Sequence, residues 1–263
     1  MKQQHRGLAV FTILAYIFLL GPLFIIMATS FGEGSVLKFP PEGFSLKWYQ
    51  NIFEVEMFLT TFKVTIIVAL VGNLIALLLG VPAAYALSRY QFKGKGLLNS
   101  IFISPILIPG VVLGFTMLKY LVVRFHLPVY TSLLIGHIVL MMPFIIRVIG
   151  SSLSNFDYSV EEASMSLGAS RLKTFFTVVL PNIRSGLIAG VLLAFLESFN
   201  NVDISVFMTG PGVSTLPIQM LTYVENYFDP TIAAISVLLM MITALLMFSI
   251  ERLMGLSYFT KNN

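Results

Sequence analysis

The sequence predicts an all-α membrane protein with six transmembrane helices, on three observations. Hydrophobic residues make up 57% of the 263 and charged residues only 11%, with a mean hydropathy of +0.91. A water-soluble domain of that length could not solvate such a surface. Six apolar stretches each reach the ~20 residues that cross a hydrocarbon core about 30 Å thick. Lysine and arginine, finally, divide unevenly between the segments that join those stretches, the asymmetry that orients membrane proteins.

Taken in order, Gly7 to Gly32, Val64 to Ser88 and Gly96 to Leu118 contain no Asp, Glu, Lys or Arg. The fourth stretch, Leu127 to Ile146, is also free of them but carries His137, read as a structural hydrogen-bonding group. The fifth, Ser185 to Met208, is interrupted by Glu197 and Asp203, and the sixth, Pro230 to Ile250, is uncharged. The chain therefore divides into an N-terminal transmembrane helix (1–32), an external loop (33–62) and a core of five transmembrane helices (63–253). That core carries a loop at 155–184. With the N-terminus inside, eleven Lys and Arg fall in inner segments, from Lys2 and Arg6 to Arg252 and Lys261, and five fall outside. Both termini and the 155–184 loop are thus placed in the cytoplasm. Trp48 and Tyr49 in the external loop suit membrane-interface anchors, with contact to an external partner as the second reading.

Several classes of function are excluded. Without cysteine there are no disulfides, thiolate metal sites or cysteine nucleophiles. The net charge of +4 is scattered among apolar spans rather than clustered, so it orients the chain and does not bind nucleic acid. The first apolar run is too long for the core of a cleavable signal peptide. No Ser/His/Asp or metal constellation supports an intramembrane enzyme, and His5 and His126 have no partner at ligand spacing. Lys93-Gly94-Lys95-Gly96 lacks the spacing of a phosphate-binding loop, so any ATP hydrolysis belongs to another polypeptide.

The loop is the one long polar insertion. Ser159 followed by Glu162 predicts a capping box at a helix start, with Asp157, Glu161 and Glu162 suited to its positive end. Gly168 can end that helix in the left-handed conformation. Ser170 then opens a second helix, amphipathic through Leu172, Phe175, Phe176 and Val179, which Pro181 is expected to break. The predicted result is a helix–turn–helix elbow along the membrane surface. Its exposed apolar face around Ala163, Leu167 and Leu172 calls for a protein partner.

In the fifth stretch, Glu197, Asn200 and Asn201 are spaced to share one helical face, and Asp203 extends the stripe. A carboxylate near the bilayer centre costs about 2.5–3.5 kcal/mol on insertion scales, so these groups are expected to face protein or a water-filled path. A translocation path for a polar or cationic solute is one reading. Interhelical hydrogen bonding, or packing against a second membrane subunit, is the other, and the two are compatible. Pro82, Pro105, Pro109, Gly110 and Pro143 predict kinks or irregular turns.

Glu162-Ala163-Ser164, then Gly168, Val178 and Leu180-Pro181, closely resemble the cytoplasmic coupling loop of binding-protein-dependent ABC importer permeases. In that family the pattern is E-A-A, three residues, G, nine residues, I, one residue, L-P. Ser164 and Val178 are conservative departures from Ala and Ile. The resemblance implies the type I permease fold and a multi-pass place in the bacterial cytoplasmic membrane. It implies that Glu161, Glu162, Ala163, Ser164, Leu167, Gly168, Ala169, Leu172, Leu180 and Pro181 form the surface coupled to an ATPase. Implied partners are a second, different permease subunit, two ATPase subunits holding ATP and Mg2+, an extracytoplasmic solute-binding protein and membrane lipid, with no nucleic acid. Phe44 to Tyr49, Phe207-Met208-Thr209-Gly210-Pro211-Gly212 and Leu216-Pro217 are similar to the spermidine/putrescine branch, implying a polyamine or related amine as solute. Related branches carry aminoethylphosphonate, ferric iron or sulfate. An ion-coupled secondary transporter using Glu197 and Asp203 is the rival, but it leaves the elbow without purpose and lacks a second polar, broken span.

Overall fold

A computed structural model describes residues 2–254. Lys261, one of the cations in the orientation argument, lies outside the described residues. Twelve α-helical segments run α1 (Lys2–Thr29), α2 (Lys47–Glu54), α3 (Glu56–Arg89), α4 (Lys95–Leu107), α5 (Gly110–Met117) and α6 (Val129–Ser154), then α7 (Tyr158–Ser166), α8 (Arg171–Thr174), α9 (Leu180–Asn182), α10 (Arg184–Phe199), α11 (Leu216–Asn226) and α12 (Thr231–Met254). Two π-helical turns, Leu118–Arg124 and Phe175–Val179, extend α5 and join α8 to α9.

Four helices are long and apolar enough to cross a bilayer singly: Gly7–Thr29, Glu56–Arg89, Val129–Ser154 and Thr231–Ser249. Two further spans are broken. Lys95–Leu107 and Gly110–Arg124 meet at 102°, and Arg171–Asn182 and Arg184–Phe199 meet at 76°, which brings the count to as many as six. The first break follows from Ile108-Pro109. Proline forces its predecessor out of the helical region, and Ile108 is extended at φ −89°, ψ 131°. Gly110 is required on the far side, because a side chain there would strike the carboxylate of Asp203. The prolines predict a kink at this point; the structure makes it a right-angled turn and hence a second discontinuous span.

Among the described residues, those up to 60 and from 219 onward form one compact unit and 61–218 another. In the first, Asn51 donates to Thr231 Oγ1 at 2.9 Å, tying α2 to α12, and Phe58 packs on Tyr223 with ring centres 5.0 Å apart. The external segment is ordered against α1: Trp48 Nε1 donates to Gly32 O at 2.8 Å, and the Ser30 and Tyr49 hydroxyls lie 2.8 Å apart. Those aromatics therefore fasten the loop to the helix it follows.

The core of the second unit is built on α6, where Met141, Ile145, Ile149 and Leu153 are fully enclosed. Close approach depends on glycines. A β-carbon at Gly72 or Gly80 of α3 would meet Met141 or Ile145 at 2.5 and 2.7 Å. Gly186 of α10 lies against Ser152, and Gly190, one turn on, touches Ile149 and Val148. Small residues spaced by four let two backbones approach, which is the main source of helix association in lipid.

Gly186→Val should therefore separate α10 from α6 at a cost of about 1–3 kcal/mol, typical of overpacking. The expected result is a thermal midpoint in detergent several degrees lower. Gly21→Ala, where nothing lies within 4 Å of the added carbon, should leave it unchanged.

Candidate functional site: the 155–184 elbow and the broken fifth span

The elbow begins where α6 stops at Ser154. Asp157 is the residue that caps α7: its carboxylate accepts from Ser159 N at 2.9 Å, which holds the carboxyl below the ordinary aspartate range. The expected capping box of Ser159 and Glu162 does not form. Aspartate two positions earlier supplies the acceptor, so Ser159 falls inside the first turn and Glu162 is left to find another partner. α7 ends at Gly168, in the left-handed conformation at φ +91°, with its N–H on Met165 O at 3.0 Å. Ser170 Oγ then accepts from Lys173 N at 3.3 Å and caps α8.

The second arm does not break at Pro181 as expected. It continues to Asn182, and the chain turns at Ile183. The π turn explains this. It passes the N–H of Leu180 back to Phe175 O, so Pro181 opens a new α-helical turn, where a missing N–H costs nothing. The inner side of this arm buries Thr174, Val179 and Ile183, and Leu180 packs on the same core as Ile149 and Leu153. Ser164 and Thr174, 3.1 Å apart, join the two arms.

What holds α7 is the last turn of α3. Tyr85, Ser88 and Arg89 lie three and four residues apart and so share one face. The Tyr85 hydroxyl donates to Glu161 Oε1, and Arg89 Nε lies 3.4 Å from the other oxygen of that carboxylate. Arg89 Nη2 donates to Glu162 Oε1 at 2.7 Å. Its guanidinium also covers the Tyr158 ring, 4.9 Å from the centre, and Tyr158 donates to Ser88 Oγ at 2.9 Å. Burial raises the Tyr158 hydroxyl above the usual tyrosine range.

The ten residues assigned to the ATPase surface thus separate. Glu161 is only 4% exposed and turned onto α3, so it belongs to the seat of the helix and not to its outer face. Leu180 likewise packs inward, and Ser164 and Ala169 are half-buried. Glu162, Ala163, Gly168 and Pro181 are exposed, and Leu167 and Leu172 stand out at 90% and 71%. Sequence reasoning missed Tyr85, Ser88, Arg89 and Tyr158 as a seat. Arg89 entered only as an orienting charge, although a cation one turn after a tyrosine, closing the charge-free stretch Val64–Ser88, was an available signal.

The fifth span departs further from expectation. α10 ends at Phe199, so Glu197, Asn200, Asn201 and Asp203 do not form a helical stripe. Asparagine readily leaves the helix by bonding to nearby backbone, and both do so here. Asn200 returns its side-chain N–H to Leu196 O at 3.0 Å, while buried Asn201 accepts from Ile204 N at 3.0 Å at the start of a 3-10 turn. Glu197 is half-buried in the final turn of α10, and Asp203 is exposed beside Gly110, at the break of the third span. His137, 1% exposed, bridges Ser198 Oγ at 2.7 Å and Ser205 Oγ at 3.1 Å. It binds α6 to the last turn of α10 and to the 3-10 turn that follows. Among the described residues no group of three or more His, Asp or Glu side chains is placed to hold a metal ion.

Residues 72–258 match the family described as binding-protein-dependent transport system inner membrane component. The chain is 30% identical over 238 residues to the putrescine transport system permease protein PotI of Escherichia coli K12, covering 88% of this chain and 84% of that one. It is 28% identical to the spermidine/putrescine permease PotC of the same organism, covering 90% and 89%. Among solved structures, a bacterial alginate ABC transporter superposes with a TM-score of 0.76 at 13% identity, covering 95% of this chain and 93% of that one. The MetNI methionine ABC transporter superposes with a TM-score of 0.60 at 20% identity, covering 73% and 92%. Architecture, sequence and relatives converge: the chain belongs to the binding-protein-dependent inner membrane component family, as a multi-pass, non-catalytic permease of a bacterial ABC importer that receives its solute from an extracytoplasmic binding protein.

Proposed function

We propose that this permease imports a polyamine, pairs with a second, different permease, and is driven through α7 by two ATPase subunits in the cytoplasm, where both chain termini lie. The observation that carries the coupling role is the seat of α7. Two consecutive carboxylates share one arginine on α3, while Leu167 and Leu172 are exposed. A helix anchored on one side and apolar on the other is built to be pushed. Movement of α7 passes to α3 through Arg89 and to α10 through the second arm and its bend at Ile183.

The polyamine rests on the solutes named for the similar permeases together with the carboxylates of Glu197 and Asp203. Each carboxylate set in a span is costly to insert and is compensated when an ammonium group passes. The proline- and glycine-bearing turn at Gly210–Val213, closed by two backbone hydrogen bonds of 2.9 Å, follows directly on that segment.

Leu167→Asp should abolish capture of the ATPase subunits in co-purification while the chain still inserts. Arg89→Ala leaves Glu161 buried without its countercharge, an unsatisfied group costing about 1–3 kcal/mol. Its expected signature is ATP hydrolysis that continues while solute uptake by the reconstituted importer falls at least several-fold; unchanged uptake per ATP would remove the clamp from the mechanism. For the solute, Glu197→Gln combined with Asp203→Asn should raise the KM for putrescine uptake about tenfold or more. Both carboxylates then become neutral amides, and a weakening of roughly 1.4 kcal/mol is already a factor of ten. Equal transport of putrescine by both proteins would overturn the path assignment.

A further inference from the structure

A cavity of about 390 Å³ opens between α3, α4 and α6, at the end of the bundle where the elbow is seated. Ser88 belongs to both, lining the cavity and accepting from Tyr158. The polar lining comprises Lys95, Asn99, Arg147, Ser154 and Ser88, with Ile103 and Ile146 among the apolar residues. Lys95, Asn99 and Ile103 recur every four residues along α4, and Arg147, Gly150 and Ser154 are spaced by three and four on α6, so two helices turn one cationic face each toward the space.

Neither cation has a carboxylate partner among the described residues. Lys95 Nζ donates to a single backbone oxygen, Tyr90 O at 3.2 Å, and Arg147 enters no ion pair or hydrogen bond. Arg147 directly follows the fourth apolar stretch, seven residues before the end of α6 at Ser154, about 10 Å along the axis at 1.5 Å per residue. Basic pockets between the inner ends of transmembrane helices bind anionic lipid headgroups. The flank agrees: Leu97, Leu98 and Ile101 on α4 are all exposed, an apolar surface along which acyl chains can lie.

We infer that this cavity binds the phosphate headgroup of an anionic phospholipid, held between Lys95 and Arg147, with its acyl chains running down the exposed side of α4. Asn99, Ser88 and Ser154 supply further hydrogen bonds to the phosphodiester and glycerol oxygens. Gly150 leaves the space open, since nothing lies within 4 Å of a β-carbon built there.

The test uses the assembled importer, stripped of native lipid and offered phosphatidylglycerol or phosphatidylcholine before native mass spectrometry. The wild type should retain phosphatidylglycerol preferentially. The combined Lys95→Gln and Arg147→Gln variant should lose that preference about thirtyfold, at roughly fivefold for each cation near an anionic group. Gly150→Leu, which keeps both charges and collides with nothing at its β-carbon, should lose retention by filling the cavity. Lys119→Gln, remote from it, should not. Equal retention of the two lipids by the wild type, or an undiminished preference in the double variant or in Gly150→Leu, overturns the inference. So does complete displacement of phosphatidylglycerol by millimolar inorganic phosphate, which assigns the site to free phosphate. Pairing of Arg147 with an acidic side chain of another subunit in the assembled complex overturns it as well.

Discussion

One guanidinium at the end of α3 decides where α7 sits. Arg89 faces two consecutive carboxylates with different surroundings: Glu161 is enclosed against Tyr85, and Glu162 is open to solvent. The enclosed pair gives the position its precision, because a carboxylate held away from water tolerates little misplacement before its desolvation goes uncompensated. The open pair is weak by comparison, as solvent screens it. The clamp is thus one enclosed contact flanked by adjustable ones, including the Tyr158 ring under the same guanidinium. Without it, α7 would be a short amphipathic helix with no reason to remain in register with the membrane bundle.

Lipid imposes the complementary constraint. Two of the spans are discontinuous, and each break leaves backbone groups that water cannot satisfy. Where α10 stops, Asn201 takes up that role by accepting from Ile204 N and Ser205 N, and at the third span Pro109 removes one donor altogether. Polar residues that a hydropathy scan reads as interruptions are therefore what allows the chain to stop a helix inside an apolar environment.

The six apolar stretches, the elbow and its turn at Gly168 were legible because each has a local cause: composition, proline, or a glycine needed at positive φ. Helix ends fixed by competing local options were less legible. Asp157 displaced Ser159 as cap because both stand near the helix start, and only the path of the chain from Ser154 decides between them. The Asn200-Asn201 pair fits a helical face as readily as a helix end, and the local bond from Ile204 N together with the tertiary His137 bridge settled it. The clamp was invisible for another reason. Tyr85 and Glu161 are 76 positions apart in sequence, and no periodicity links them.

The imidazole of His137 has a mechanical corollary. It links two hydroxyls across the gap between the last turn of α10 and the 3-10 turn beyond it, within a region that bulk water does not reach. Pulling those flanks apart would strand three polar groups, at about 1–3 kcal/mol each. The gap is therefore a welded joint rather than a hinge. Any movement of α6 must carry both sides of that joint with it as a single block, and bending has to occur at the ends of the block.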